Sequence, residues 1–241
     1  MFENIIKNVH NRHPLIHCIT NYVSINDCAN IVLACGGAPI MAEDINEVSQ
    51  ITSICQGLDI NIGMLNDNKL SSMLKAGATA NELGIPVILD PVGAGSSDYR
   101  IKAVQNLMSN VQFGVIRGNV SEIKAIAAKQ GIHNISAGVY DTMQKDKSAM
   151  GVEAGIADKI TDDNIKEMAD FINKLSQKTG AVIAVTGRID MVADENRVYA
   201  IRNGHKMMSL VTGAGCQLSA LTSAYVAADK EHILESVCAA V

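Results

Sequence analysis

Apolar positions along the chain come in short, nearly unbroken runs: PLIHCIT (14–20), GAPIM (37–41), LDINIG (58–63), PVILDP (86–91), FGVIRGN (113–119) and AVIAVTG (181–187). Runs of that length with so little alternation predict strands of a parallel sheet covered on both faces. Between them the apolar residues recur at helical spacing, in SINDCANIVLAC, INEVSQITSIC, NDNKLSSMLKAGATANELG, SEIKAIAAKQG and TDDNIKEMADFINKLSQKTG. Their Asp, Ser or Thr starts, and stops at Gly84, Gly131 and Gly180, are the caps such helices use. Strand alternating with helix predicts an α/β fold with a doubly wound sheet, in which ligands bind beyond the carboxyl ends of the strands. The residues at those ends are Thr20-Asn21, Met41, Gly63, Asp90-Pro91, Arg117-Gly118-Asn119 and Thr186-Gly187, more polar and glycine-rich than the runs they follow.

Two segments break the rhythm. Residues 132–160 mix Gly, Ser and charge with weak periodicity, as a connection or a short helix between loops would. MVADENRVYAIRNG (191–204) reads as a β-hairpin turning at Asp194-Glu195-Asn196, and the polar HKMMSLVTGAG follows it. Nothing divides the chain into linkers or repeats, so one domain over residues 1–241 is expected.

Composition narrows the function classes. A net charge of −5 without a basic, aromatic-studded stripe excludes a nucleic-acid partner. No apolar run reaches the roughly 18 residues of a membrane span, so no membrane partner is expected. The six cysteines form no CxxC pair, the His residues show no metal spacing, and MFENIIKNVHNRHP is not a secretory leader; a cytoplasmic protein with free thiols is expected.

The candidate chemistry sits at the strand ends. In TGAGC, Gly213, Ala214, Gly215 and Cys216 precede an apolar helix from Leu218 to Ala228, and backbone N–H groups in such a turn form an anion nest. The alternative is an ordinary turn before a buried helix. Cys216 stands where a helix start lowers a thiol pKa, or else is a small core residue. Asp90 ends a buried strand, where a carboxylate organises a metal's water shell or a substrate, or caps a helix starting near Ser97. Asn119 and Glu122 share a face at a helix opening, as a pair around hydrated Mg2+ or as a capping box. Arg117 is a fork suited to phosphate oxygens, and Thr186 presents a hydroxyl at its strand end. Metal carboxylate, phosphate fork and anion nest on one sheet edge describe phosphoryl transfer from a nucleotide.

CITNYVSINDCAN, GGAPIMAEDINEV, ILDPVGAG, RGNVSEI, AVTGRIDMVAD and NGHKMMSLVTGAGCQLSAL, in that order, resemble the hydroxyethylthiazole kinases of thiamine salvage, a branch of the ribokinase-like superfamily. The resemblance implies a ribokinase-like fold and ATP- and Mg2+-dependent phosphorylation of 4-methyl-5-(2-hydroxyethyl)thiazole, by a homotrimer with sites between subunits. Carried over by position, Asn21, Met41 and Gly213 resemble the thiazole contacts. Arg117, Thr186 and Asn119 fall on the nucleotide side, and Asp90 and Glu122 are the Mg2+ and water organisers. Cys216 stands where most of the superfamily carries an aspartate base, which favours the thiazole branch over hydroxymethylpyrimidine kinases and hydrate dehydratases. A non-catalytic nucleotide sensor keeping the nest is the reading from a different class. The chain stops at Val241 inside the helical pattern KEHILESVCAAV, where the family runs on through a further helix or two; the resemblance thus implies a truncated C-terminal end.

Overall fold

The computed structural model of the protein describes residues 2–132 and 159–241. Nearly all of the weakly patterned 132–160 stretch therefore lies outside the described residues. Every predicted strand forms: β1 (Leu15–Ile19), β2 (Ala38–Ile40), β3 (Gly57–Asn61), β4 (Val87–Asp90), β5 (Val115–Asn119) and β6 (Val182–Thr186). The expected hairpin supplies β7 (Asp190–Ala193) and β8 (Val198–Ile201). They build an eight-stranded sheet in the order β2-β1-β3-β4-β5-β6-β7-β8. Pairing is parallel from β2 through β6, and antiparallel at β7 and β8. Strand order reverses between β1 and β3, and in a sheet of this kind that point opens a crevice beyond the strand ends.

Helices cover both faces. α1 (Phe2–Arg12), α2 (Ile25–Ala34), α8 (Ala214–Ala228) and α9 (Ile233–Ala240) lie together on one side, α8 crossing β1, β3 and β4. The other side carries α3 (Val48–Ile54), α4 (Asp67–Glu82), α5 (Asp98–Asn110), α6 (Val120–Lys129) and α7 (Ile165–Thr179). Each strand divides its side chains between the two cores by its period of two. Leu89, Ile116 and Ile183 join the core under α4 to α7, whereas Ile88, Val115 and Ala184 face Val226 of α8.

The glycine stops hold: Gly84, Gly131 and Gly180 all take positive φ at helix ends. The expected Asp, Ser or Thr starts do not: Asn66, Asn119 and Asn164 stand at the heads of α4, α6 and α7, and Ser24 makes no side-chain cap bond at α2. Two further readings need correction. α8 begins at Ala214 rather than Leu218, because Gly213 takes the N-cap place with φ 72° and the small residues after it continue the helix. Asp90 does not cap α5; the Ser97 side chain does, accepting from the Arg100 N–H. α1 was not anticipated: its apolar stripe is thin, with only Ile5 and Val9 buried.

Within this packing Gly77 of α4 faces Val111, where an added Cβ would meet Cγ2 at 2.5 Å and Cγ1 at 2.8 Å. Alanine normally gains about 1 kcal/mol over glycine inside a helix. Overpacking costs about 1–3 kcal/mol, so the clash decides the sign. Gly77→Ala is expected to lower stability by up to about 2 kcal/mol in denaturant unfolding.

Candidate active site

The alternation that divides the cores also assembles the site. Asn61, Asp90, Arg117 and Thr186, at or near the ends of β3, β4, β5 and β6, turn to the face covered by α8. Asp90 is fully buried; its Oδ2 accepts from Asn61 Nδ2 at 2.8 Å and from Ser219 Oγ of α8 at 2.9 Å. Arg117 Nη1 stands 3.7 Å from the same oxygen, and Nη2 donates to Thr186 Oγ1 at 2.6 Å. The guanidinium lies against the first turn of α8, close enough that a Cβ on Gly215 would come within 2.8 Å of Nη1. Arg117, Thr186 and the 213–216 turn therefore converge, as their strand-end positions required.

The crevice side holds the other predicted residues. Asn21 Nδ2 donates to Cys216 Sγ at 3.2 Å and to Asn61 Oδ1 at 3.1 Å. Its Oδ1 accepts from the Val23 and Ser24 N–H groups and from Ser24 Oγ, fixing the turn into α2. Met41 packs on the cluster of Cys28, Val32 and Cys216. Ser24 abuts the nest, since a Cβ on Gly213 would sit 2.6 Å from its own Cβ.

Asn119 and Glu122 form the capping box. Asn119 Oδ1 accepts from the Glu122 N–H at 2.9 Å, and Glu122 Oε2 accepts from the Asn119 N–H at 2.8 Å. Glu122 Oε1 accepts from the Gly93 N–H at 2.8 Å, tying α6 to the loop after β4. The capping reading thus holds, and it leaves a buried carboxyl beside Asp90. Burial, then the Asp90 charge, pushes Glu122 up to about 7 against the pull of its backbone N–H partners. Burial likewise raises Asp90, with Arg117, Ser219 and Asn61 opposing it.

A divalent cation fits this electrostatic picture. Asp90 Oδ1 is buried without a hydrogen-bond partner, and two neighbouring carboxyls face one guanidinium. The described residues contain no cluster of three or more His, Cys, Asp or Glu able to ligate a metal directly. Asp90 and Glu122 therefore suit the orientation of a cation's water shell rather than a protein cage.

Cys216 departs from the expected direction. Burial first, and the Asp90 charge second, push its thiol up, although hydrogen bonds from Ser24, Asn61 and Asn21 oppose the rise. The helix start does not offset the loss of water around a side chain 8% exposed.

Sequence reading missed several members of the site. Lys69 of α4 is buried, donating to Thr20 O at 2.7 Å and pairing with Glu43 Oε2 at 2.7 Å. Its ammonium lies 4.4 Å from the centre of the Tyr22 ring, and the Tyr22 hydroxyl donates to Glu43 Oε1. This cation fastens the loop after β1 to the loop after β2, which carries Met41. No sequence signal marks it, since a lysine in an amphipathic helix reads as solvated. Asn61 did leave a signal: with Asp59 it places two polar residues on one face of a strand otherwise apolar.

Comparison with known proteins bears on the chain as a whole. The sequence profile described as "Hydroxyethylthiazole kinase family" matches residues 6–241. A hydroxyethylthiazole kinase of Clostridium acetobutylicum is 51% identical over 241 residues, 100% of this chain and 82% of that protein. Among solved structures, the hydroxyethylthiazole kinase from Pyrococcus horikoshii OT3 superposes with a TM-score of 0.83 at 32% identity, covering 99% of this chain and 80% of that one. An ADP complex of Bacillus subtilis pyridoxal kinase gives 0.65 at 16% identity, covering 95% and 88%, a likeness of fold alone. The fold is ribokinase-like.

Gly213 has φ 72° and no room for a Cβ beside Ser24. A residue with a side chain held there costs about 1–3 kcal/mol. Gly213→Ala is expected to lower the melting temperature and to cut turnover by about tenfold or more, through the shift of Ser24 and Asn21. Ser24→Gly, which removes the obstructing Cβ, is expected to recover part of the lost stability when combined with it.

Proposed function

This chain belongs to the hydroxyethylthiazole kinase family, and from that premise we propose that it transfers the γ-phosphoryl group of ATP to the hydroxyl of 4-methyl-5-(2-hydroxyethyl)thiazole, with Mg2+. The observation that carries the reading is the first turn of α8, with the Arg117 guanidinium against Gly215 on one side and Asn21 against Cys216 on the other. Backbone donors and a cation gathered beside a polar crevice suit a phosphate meeting an alcohol.

The alcohol oxygen attacks the γ-phosphorus in line while the bond to the β–γ bridging oxygen breaks, and ADP leaves. Its hydroxyl proton passes to a phosphoryl oxygen or to water. Asn21, Met41 and Gly213 hold the thiazole alcohol. Arg117 and Thr186, with Asn119 at the head of α6, face the phosphate chain, and the N–H groups of Gly213 to Cys216 take up charge developing on the transferred group. Asp90 and Glu122 would hold the water shell of Mg2+, which when bound supplies charge neutralisation along the phosphates.

Cys216 acts chiefly by position in this scheme. A thiol kept protonated by burial cannot accept the hydroxyl proton, and a loose phosphoryl transition state asks little of a base. The reading also carries a single domain, a cytoplasmic setting suited to six free thiols, and a homotrimer with sites between subunits. Support for the trimer lies in the exposed apolar side chains flanking the site: Tyr22 and Val23 after Asn21, and Met207, Met208, Leu210 and Val211 before Gly213.

ADP release from ATP and Mg2+ is expected with the thiazole alcohol and not with hydroxymethylpyrimidine, pyridoxal or no acceptor. Bound ATP without release on any acceptor would favour a sensor instead. Cys216→Ser is expected to keep turnover within about tenfold of the parent, well short of the 10²–10⁴ that a general base contributes. Cys216→Asp, which supplies a carboxylate that is ionised at neutral pH and free to accept, is expected to stay active. A Cys216→Ser variant that bound ATP and thiazole but lost more than about a hundredfold in turnover would make the sulfur the base.

A further inference from the structure

Asn61, fully buried at the end of β3, meets both halves of the site with one carboxamide. Its Oδ1 accepts from Asn21 Nδ2 at 3.1 Å and from the Gly63 N–H at 2.9 Å, while its Nδ2 donates to Asp90 Oδ2 at 2.8 Å. The orientation is forced, because the Gly63 backbone N–H can only donate and so must face the amide oxygen. These bonds close a ring. From Cys216 of α8 it runs through Asn21, Asn61 and Asp90 to Ser219, which lies three residues after Cys216 on the same face of α8. The ring crosses the place between β1 and β3 where strand order reverses.

We propose that Asn61 is a positioning residue that sets the alcohol-binding side, through Asn21, against the phosphate side, through Asp90. The inference rests on the kinase reading of the site. Asn61 touches neither reacting group; it fixes the separation of the residues that do, and a displacement of about 1 Å costs on the order of a hundredfold in rate. Its two links are chemically separable. Asn61→Asp keeps an oxygen for Asn21 and Gly63 but replaces the donor facing Asp90 with an acceptor. Asn61→Ala removes both links.

Steady-state kinetics and calorimetric binding of the alcohol, with melting temperatures recorded in parallel, test the idea. For Asn61→Asp, kcat is expected to fall about tenfold or more while KM and Kd for the alcohol stay within about twofold. For Asn61→Ala, kcat is expected to fall as far, with KM and Kd rising about fivefold or more. Asn61→Ala with a lowered melting temperature but parental kcat and KM would overturn the proposal. So would equal changes of kcat and KM in both variants, which would mark a loosened fold rather than two distinct links. The variants are assayed on whichever acceptor of the panel the parent phosphorylates. Refusal of the thiazole by the parent thus counts against the substrate reading alone, and the split between the two variants still decides Asn61.

Discussion

Asp90 is a carboxylate with no exposed surface, and its neighbours are arranged around the cost of burying it. Removing an ionised carboxyl from water is tolerated only where donors and opposite charge replace the lost hydration. One oxygen of Asp90 has them, in Asn61, Ser219 and, more distantly, Arg117. The other has none. Burial pulls Asp90 and Glu122 beside it upward, and it leaves negative charge that a cation would relieve. Burial first, and the Asp90 charge second, hold the Cys216 thiol up. One buried charge therefore orients the arginine, conditions the thiol, and anchors the hydrogen bonds that reach Asn21.

Close approach is the second condition. α8 delivers Ser219 to Asp90, and brings its first turn onto Arg117 and Ser24, only because small residues occupy its start. The price is a helix start without a side-chain cap, against which the buried bonds of Asn21 and Ser24 stand on the opposite side.

The fold was legible because both of its periodicities are strong. Strands buried on two faces give runs such as PVILDP that resemble nothing else in an α/β chain, and the stop Gly180 marks a helix end by chemistry that needs no tertiary partner. α1 escaped because two buried residues make too thin a stripe to stand out. At the site, Asp90, Arg117 and Thr186 were found by one rule, the strand end, and the sheet brings them together. Asn61 and Lys69 escaped it. Asn61 stands at a strand end, yet its role depends on which polar atoms of other strands it meets. Lys69 depends on the burial of an ammonium that sequence would leave in water. Cys216 shows the limit most sharply: its place was readable, but the direction of its acidity depends on packing and on a charge contributed from 126 positions earlier in the chain, at Asp90.

The order in which a ribosome releases this chain gives the late position of α8 a further consequence. β1, β3 and β4 all emerge before residue 91, yet the helix that covers their shared face is made only after residue 213. Throughout that interval Ile16, Cys18 and Ile88 lack their permanent cover, and Asp90 lacks its serine donor. The nascent protein must pass through a stage with part of one face of its sheet uncovered, the kind of surface that chaperones hold and that aggregation exploits. When α8 docks, it closes that surface and completes the hydrogen-bonded cluster around Asp90 in one event. A chain that has finished covering this face has thereby finished assembling its candidate site.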